Sequence, residues 1–150
     1  MYTSGRRHGG TVFGRFAAAL CLVTVFLSCV ATNHPVTLPS GLQYWTVIPG
    51  SGPRARPGDS VRIHETTTLV DGTLIYSTRT KGEPVTFVVG GSQVIAGVDL
   101  GVTGMKTGEL RKLIVPPALS QRSTYPDNTP PDATLYYDIE LVEIVHASTP

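Results

Sequence analysis

Between Val94 and Pro117 the chain reads VIAGVDLGVTGMKTGELRKLIVPP, and this run limits what the chain can become more than any other. Val94, Val98, Val102 and Met105 follow one another at spacings of four, four and three, which stacks them on one helical face. Ser92 stands just ahead, where a hydroxyl can cap the first free backbone N–H groups, so the spacing predicts a helix that begins there. Gly104 and Gly108 then mark a turn, and Leu110 to Val115 is apolar and partly β-branched, as a strand should be. Gly97, Gly101 and Gly104 each cost about 1 kcal/mol of helix propensity relative to Ala. A helix that keeps them is expected to lie hard against a sheet.

Strand patterns fill most of the remaining sequence. Leu42 to Ile48 predicts a first strand closed by the turn Pro49-Gly50-Ser51-Gly52, and Arg54 to Asp59 a loop. Val61 to Val70 alternates, with Ile63, Glu65 and Thr67 on one face and Arg62, His64, Thr66 and Thr68 on the other. Asp71-Gly72 signals a hairpin into Leu74 to Thr78. Arg79 to Glu83 reads as polar loop, Val85 to Val89 as a short strand, and Ala118 to Ala133 as a long loop of the kind that carries function. Leu135 to Val145 closes the sheet, with Leu135, Tyr137, Ile139 and Leu141 pointing inward. The expected class is α+β, an antiparallel β-sheet wrapped around one short α-helix.

The first 31 residues have the composition of a targeting segment. Arg6, Arg7 and Arg15 precede an apolar stretch from Phe16 to Leu27, shorter than the roughly 20 residues of a spanning helix. Phe26-Leu27-Ser28-Cys29 is similar to a bacterial lipobox, which makes Cys29 the expected site of lipidation. Phe26 and Leu27 are larger than the residues usual at their places. Ordinary cleavage after Ala31 and an uncleaved signal anchor therefore stand as alternatives. The expected organisation is a leader over 1–31, a linker over 32–40, a domain over 41–146 and a tail over 147–150. Export to the periplasm with attachment to the bacterial envelope follows from that leader. Past Cys29, nine basic residues face eleven acidic ones, a net charge of −2 with no basic stripe, so no nucleic-acid partner is expected. With Cys21 in the leader, at most Cys29 survives processing, and no internal disulfide is available to the domain.

Ordered motifs run through the whole domain. Gly41-Leu42-Gln43-Tyr44 leads to Pro49-Gly50-Ser51-Gly52, Pro57-Gly58-Asp59-Ser60-Val61 and Asp71-Gly72. Val94-Ile95, Gly104-Met105-Lys106, Gly108-Glu109 and Arg111-Lys112-Leu113 follow, and then Pro130-Pro131-Asp132-Ala133-Thr134-Leu135 and Tyr137-Asp138-Ile139-Glu140-Leu141. Over residues 41 to 145 this order resembles the FKBP-type peptidyl-prolyl isomerases. The resemblance implies cis–trans isomerisation of X-Pro bonds in exported proteins, with proline-containing peptides or unfolded exported proteins as partners. A monomer needing no cofactor and no metal is expected, and the leader adds a lipid tether to the membrane.

Titrating machinery is absent, which suits that reaction. The four histidines, at 8, 34, 64 and 146, are scattered, and no Cys, His or carboxylate spacing suggests a metal site. Glu109 beside Arg111 reads as a charged strand entrance. The resemblance places Tyr76, Ile95, Val98 and Tyr137 in the catalytic pocket, with Glu65, Ile75, Phe87, Val94 and Tyr125 contacting substrate. It also exposes departures. Glu65 replaces an aromatic, Ile75-Tyr76 replaces an aromatic followed by Asp, and Val98 stands where an apolar residue or Trp floors the pocket. Leu119-Ser120-Gln121-Arg122 lacks the family's tyrosine, and Thr129 replaces an apolar residue before Pro130. Glu65 on a pocket face requires a cation, for which Arg79 or Lys81 is in range by sequence. The expectation is therefore weak or narrowed activity, with a non-catalytic FKBP-like holdase or adaptor as the alternative.

Overall fold

A computed structural model describes residues 34–124 and 129–145, all within one compact unit. The leader with Cys29, the tail and Tyr125 lie outside the described residues. The main sheet contains β1 (Val36–Thr37), β2 (Gln43–Ile48), β4 (Ser60–Thr68), β5 (Leu74–Ser77), β6 (Val85–Val88), β8 (Leu110–Val115) and β9 (Leu135–Val145). Its order is β1-β2-β8-β9-β4-β5, with β6 on the same edge of β4 as β5. Every pairing in it is antiparallel. β3 (Ser51–Arg54) and β7 (Lys106–Thr107) form a separate two-stranded ribbon.

The longest strands hold the centre. β4 and β9 pair along the full length of β4, and one face of each is apolar. Val61, Ile63, Leu135, Ile139 and Leu141 are buried there with Tyr137, as their alternation predicts. β8 adds Leu113 and Val115 to the same face. Against it lies α2 (Ala96–Val102), whose Val98 and Val102 complete the core.

The glycines of α2 set its distance from the sheet. A Cβ on Gly97 would stand 2.3 Å from Val115 Cγ1, and one on Gly101 would stand 2.4 Å from Leu113 Cδ1. Both neighbours are buried, so neither can swing aside freely. Gly101→Ala is expected to destabilise the fold by about 1–2 kcal/mol, because overpacking outweighs the gain in helix propensity. Urea denaturation measures this, and a stabilised variant would mean that Leu113 yields. Gly104 has a different task, since its φ of 80° forms the turn after the helix.

The helix is shorter than its apolar spacing suggests. Ser92 does not cap it: Ser92 has a φ of 56°, the N-cap position is Ile95, and no side chain caps α2. Gly90 and Gly91 start a tight link instead, in which side chains satisfy the strand end. Gln93 Oε1 accepts the Val88 N–H at 2.7 Å, and Asp99 Oδ1 accepts the Gly90 N–H at 2.8 Å. Val94 and Met105 consequently flank the helix, though Met105 is still fully buried.

Besides the β3–β7 ribbon, which falls on expected turns, three segments read as irregular acquire structure through tertiary contacts. Val36 and Thr37, in the expected linker, pair with Tyr44 and Gln43 as an edge strand. The expected loop at 79–83 contains α1 (Thr78–Lys81), ended by Gly82 in the left-handed region. The long loop opens with α3 (Pro117–Ser120), which has Pro at its start, where the missing N–H costs nothing.

Candidate functional site

Between the link ahead of α2 and the sheet, two adjoining cavities share Glu65, Arg122 and Tyr137. The first, about 440 Å³, is lined also by Ser92, Gln93, Val94, Ile95, Val98, Gln121 and Ser123. The second, about 200 Å³, is lined also by Thr67, Ile75, Tyr76, Thr129 and Leu135. β4 and β9 supply the shared wall: Thr67 sits opposite Tyr137 in the register, and Glu65 opposite Ile139. β5 brings Ile75 and Tyr76 alongside, with Tyr76 paired to Thr67.

Glu65 is held from behind by α1. The Thr78 hydroxyl, fully buried, accepts the Glu65 N–H at 2.9 Å and donates to the Glu65 carbonyl at 3.2 Å. That exchange fixes the Glu65 backbone and turns its carboxyl to the cavities. Burial then pushes the carboxyl up to about 7, against the opposing pull of the Arg122 guanidinium. Neither cation expected from sequence is its partner. Arg79 bonds Glu140, and Lys81 Nζ lies 4.5 Å over the Tyr76 ring. Strand alternation explains the failure for Arg79, because Glu140 faces away from the inward Ile139 and Leu141.

Arg122 also donates to the Tyr137 hydroxyl at 3.3 Å. Burial raises the pKa of that hydroxyl and Glu65 adds to the rise, while Thr67 and Arg122 oppose it. The Arg122 Nε and the Thr129 hydroxyl are buried without a hydrogen-bond partner among the described residues. The resulting site has an apolar floor of Val94, Ile95 and Val98 and a polar wall built from one acid, one guanidinium and a phenol.

The expected site residues divide accordingly. Val94, Ile95, Val98, Tyr137 and Glu65 meet at the first cavity, and Ile75 and Tyr76 meet Glu65 and Tyr137 at the second. Phe87 lines neither. It is 2% exposed and belongs to the core, because β6 presents it on the sheet's packed face. Ser92, Gln93, Ser123, Thr67 and Leu135 were not foreseen as lining residues, while Gln121, Arg122 and Thr129 stand at pocket positions that the resemblance had marked as departures without giving them a role. One signal was available for Arg122: it is the last basic residue of the chain and sits in the long loop.

The family model for FKBP-type peptidyl-prolyl cis-trans isomerases matches residues 52–142, a span that contains this floor and this wall. The chain belongs to that family. It is 45% identical over 113 residues to FK506-binding protein 4 of Dictyostelium discoideum, covering 74% of this chain and 30% of that protein. To the peptidyl-prolyl cis-trans isomerase FPR2 of Saccharomyces cerevisiae it is 41% identical over 97 residues, covering 63% of this chain and 72% of the relative. Among solved structures, FkpA from Escherichia coli gives a TM-score of 0.68 at 32% identity, over 76% of this chain and 53% of that one. AtFKBP13 gives 0.66 at 30% identity, over 73% and 98% of the two chains. The antiparallel sheet and short helix of this FKBP domain are thus those of the family, while the chain spans less than a third of the Dictyostelium protein.

Proposed function

We propose that this chain is a peptidyl-prolyl cis–trans isomerase for exported proteins, with weak or narrowed activity. One observation carries the reading: an apolar floor of Val94, Ile95 and Val98 faces hydrogen-bond donors on Arg122 and Tyr137 across a single cavity. Amide rotation faces a barrier of about 18–20 kcal/mol because the planar form keeps its resonance. A site that binds the twisted amide better than the planar one lowers that barrier without any group titrating. The floor would seat the proline ring away from water. Arg122 and Tyr137 would meet the carbonyl as it leaves the plane and grows more basic. Two ionisable side chains in the walls, Glu65 and Arg122, would draw water into the cavities, which would weaken such discrimination.

The leader supports export, and the lipobox-like Phe26-Leu27-Ser28-Cys29 supports a lipid tether in the bacterial envelope. Slow X-Pro isomerisation limits the folding of many chains there, since export delivers them unfolded. The same charged wall favours a second reading, a binding module that holds proline-containing segments without turning them over.

The test is catalysis of a cis-prolyl tetrapeptide and of proline-limited refolding by the full chain. A rate above background that Ile95→Asp removes would support the isomerase. A folded chain with no rate in either assay leaves the binding module. Restoring aromatic walls offers a separate check. Glu65→Tyr with Val98→Trp replaces a buried acid and a small floor residue by π surfaces, and a several-fold rise in kcat/KM is expected. No gain would count against a pocket of isomerase geometry.

A further inference from the structure

We propose that the second cavity is a subsite for an acidic side chain flanking the substrate proline, with Arg122 and Thr129 as its specificity-determining residues. The inference deepens the reading above and rests on the same pocket. Arg122 lines both cavities, so a peptide whose proline sits on the Val94–Val98 floor has its neighbouring residue beside the guanidinium. Two buried groups there have unmet hydrogen-bonding capacity, Arg122 Nε and Thr129 Oγ1, and both residues line the second cavity. A buried donor left unpaired is costly. A carboxylate, with two acceptor oxygens, can accept a hydrogen bond from each, strengthened by its charge. An aliphatic side chain would leave both unmet.

The titratable and charged groups at this subsite are Glu65 on β4, Arg122 after α3 and the Tyr76 and Tyr137 phenols on β5 and β9, and the Lys81 ammonium lies 4.5 Å over the Tyr76 ring. His64 is turned away and bonds Thr78. With its carboxyl pushed up to about 7, Glu65 is neutral in mild acid and leaves the guanidinium free for a ligand carboxylate. Above that range Glu65 ionises and opposes the ligand. A bound carboxylate raises the Glu65 pKa further, so binding takes up a proton and the preference for acid fades as pH rises.

The experiment compares the fluorescently labelled peptides Ala-Glu-Pro-Glu-Ala, Ala-Gln-Pro-Gln-Ala and Ala-Leu-Pro-Leu-Ala by anisotropy with the full chain at pH 6 and pH 8. Isomerisation of the same peptides is followed by NMR exchange. The Glu peptide is expected to bind about tenfold tighter than the Gln peptide at pH 6. That ratio should shrink at pH 8 and fall to about one in Arg122→Gln; as a ratio within each protein, it is insensitive to the folded fraction. Equal or tighter binding of the Gln or Leu peptide, or a preference that survives Arg122→Gln, overturns the proposal. Isomerisation without the acid preference overturns it and leaves the isomerase reading standing. The acid preference without isomerisation supports the subsite and removes the isomerase. No binding of any peptide overturns both.

Discussion

Arg111→Leu is expected to lower the stability of the domain by about 3–5 kcal/mol, a large part of the roughly 5–15 kcal/mol that holds a typical domain folded. Arg111 and Glu109 stand two apart at the start of β8, on the same face of the strand, and both side chains are 5% exposed. The guanidinium donates twice to Glu109 Oε1, at 2.6 and 3.0 Å, and to the Gly101 carbonyl at 2.8 Å. Its Cζ lies 4.4 Å from the Tyr44 ring centroid. Glu109 in turn accepts the Thr46 hydroxyl at 2.9 Å and the Lys106 N–H at 3.0 Å. Arg111 thus ties the end of α2, the β7–β8 turn and β2 together, and its loss leaves a buried carboxylate with no countercharge.

The pH dependence follows with a definite sign. Burial alone would raise the Glu109 pKa. The Lys106 N–H, Arg111 and Thr46 together outweigh burial and hold it below the ordinary carboxylate range. In the native protein its contribution is therefore present above the unfolded value and lost as pH falls through the lowered one. Without Arg111 the balance reverses and protonation relieves the stranded charge. Urea denaturation should show the deficit of Arg111→Leu narrowing between pH 7 and pH 5. Replacing both residues by Leu should cost less than Arg111→Leu alone. A deficit under about 1 kcal/mol would mean that the pair behaves like an exposed one.

Glu65→Gln is expected to act in the opposite direction. A carboxyl raised from 4.5 to about 7 binds its proton more tightly in the folded chain than in the unfolded one. Its contribution is then full below the unfolded value and is lost as pH rises from about 4.5 to about 7, where the folded carboxyl finally ionises. The loss amounts to about 3 kcal/mol. Gln stays neutral throughout, so the variant should lack this slope and be the more stable protein at pH 8. Urea midpoints from pH 4.5 to 8.5 for the two proteins decide the matter. Equal slopes would mean that the carboxyl is solvated, and the subsite argument would lose its pH arm.

Much of the fold could be read because its signals are local and periodic. The inward alternation of Leu135, Tyr137, Ile139 and Leu141 survives any detail of packing, since a shift of one residue would expose all four. Glycines 97 and 101 announced close contact with a sheet, and Val115 and Leu113 are what they touch. Short elements were not legible. α1 exists because the Thr78 hydroxyl serves the Glu65 backbone 13 residues away, and no local pattern encodes that exchange. The supposed cap at Ser92 failed because Gln93 and Asp99 spend their side chains on the end of β6.

The sequence by itself determined the antiparallel sheet, the inward face of each long strand and the order of motifs that marks the family. It did so because side-chain period and turn chemistry are properties of neighbours along the chain. The tertiary structure alone decided which charges meet. It brought Glu65 and Arg122 to one cavity and paired Arg79 with Glu140, and it buried Glu109 with Arg111 where a charged strand entrance had been expected. Electrostatic partners depend on distances across the fold and on how much water remains between them, and neither is written in the spacing of residues.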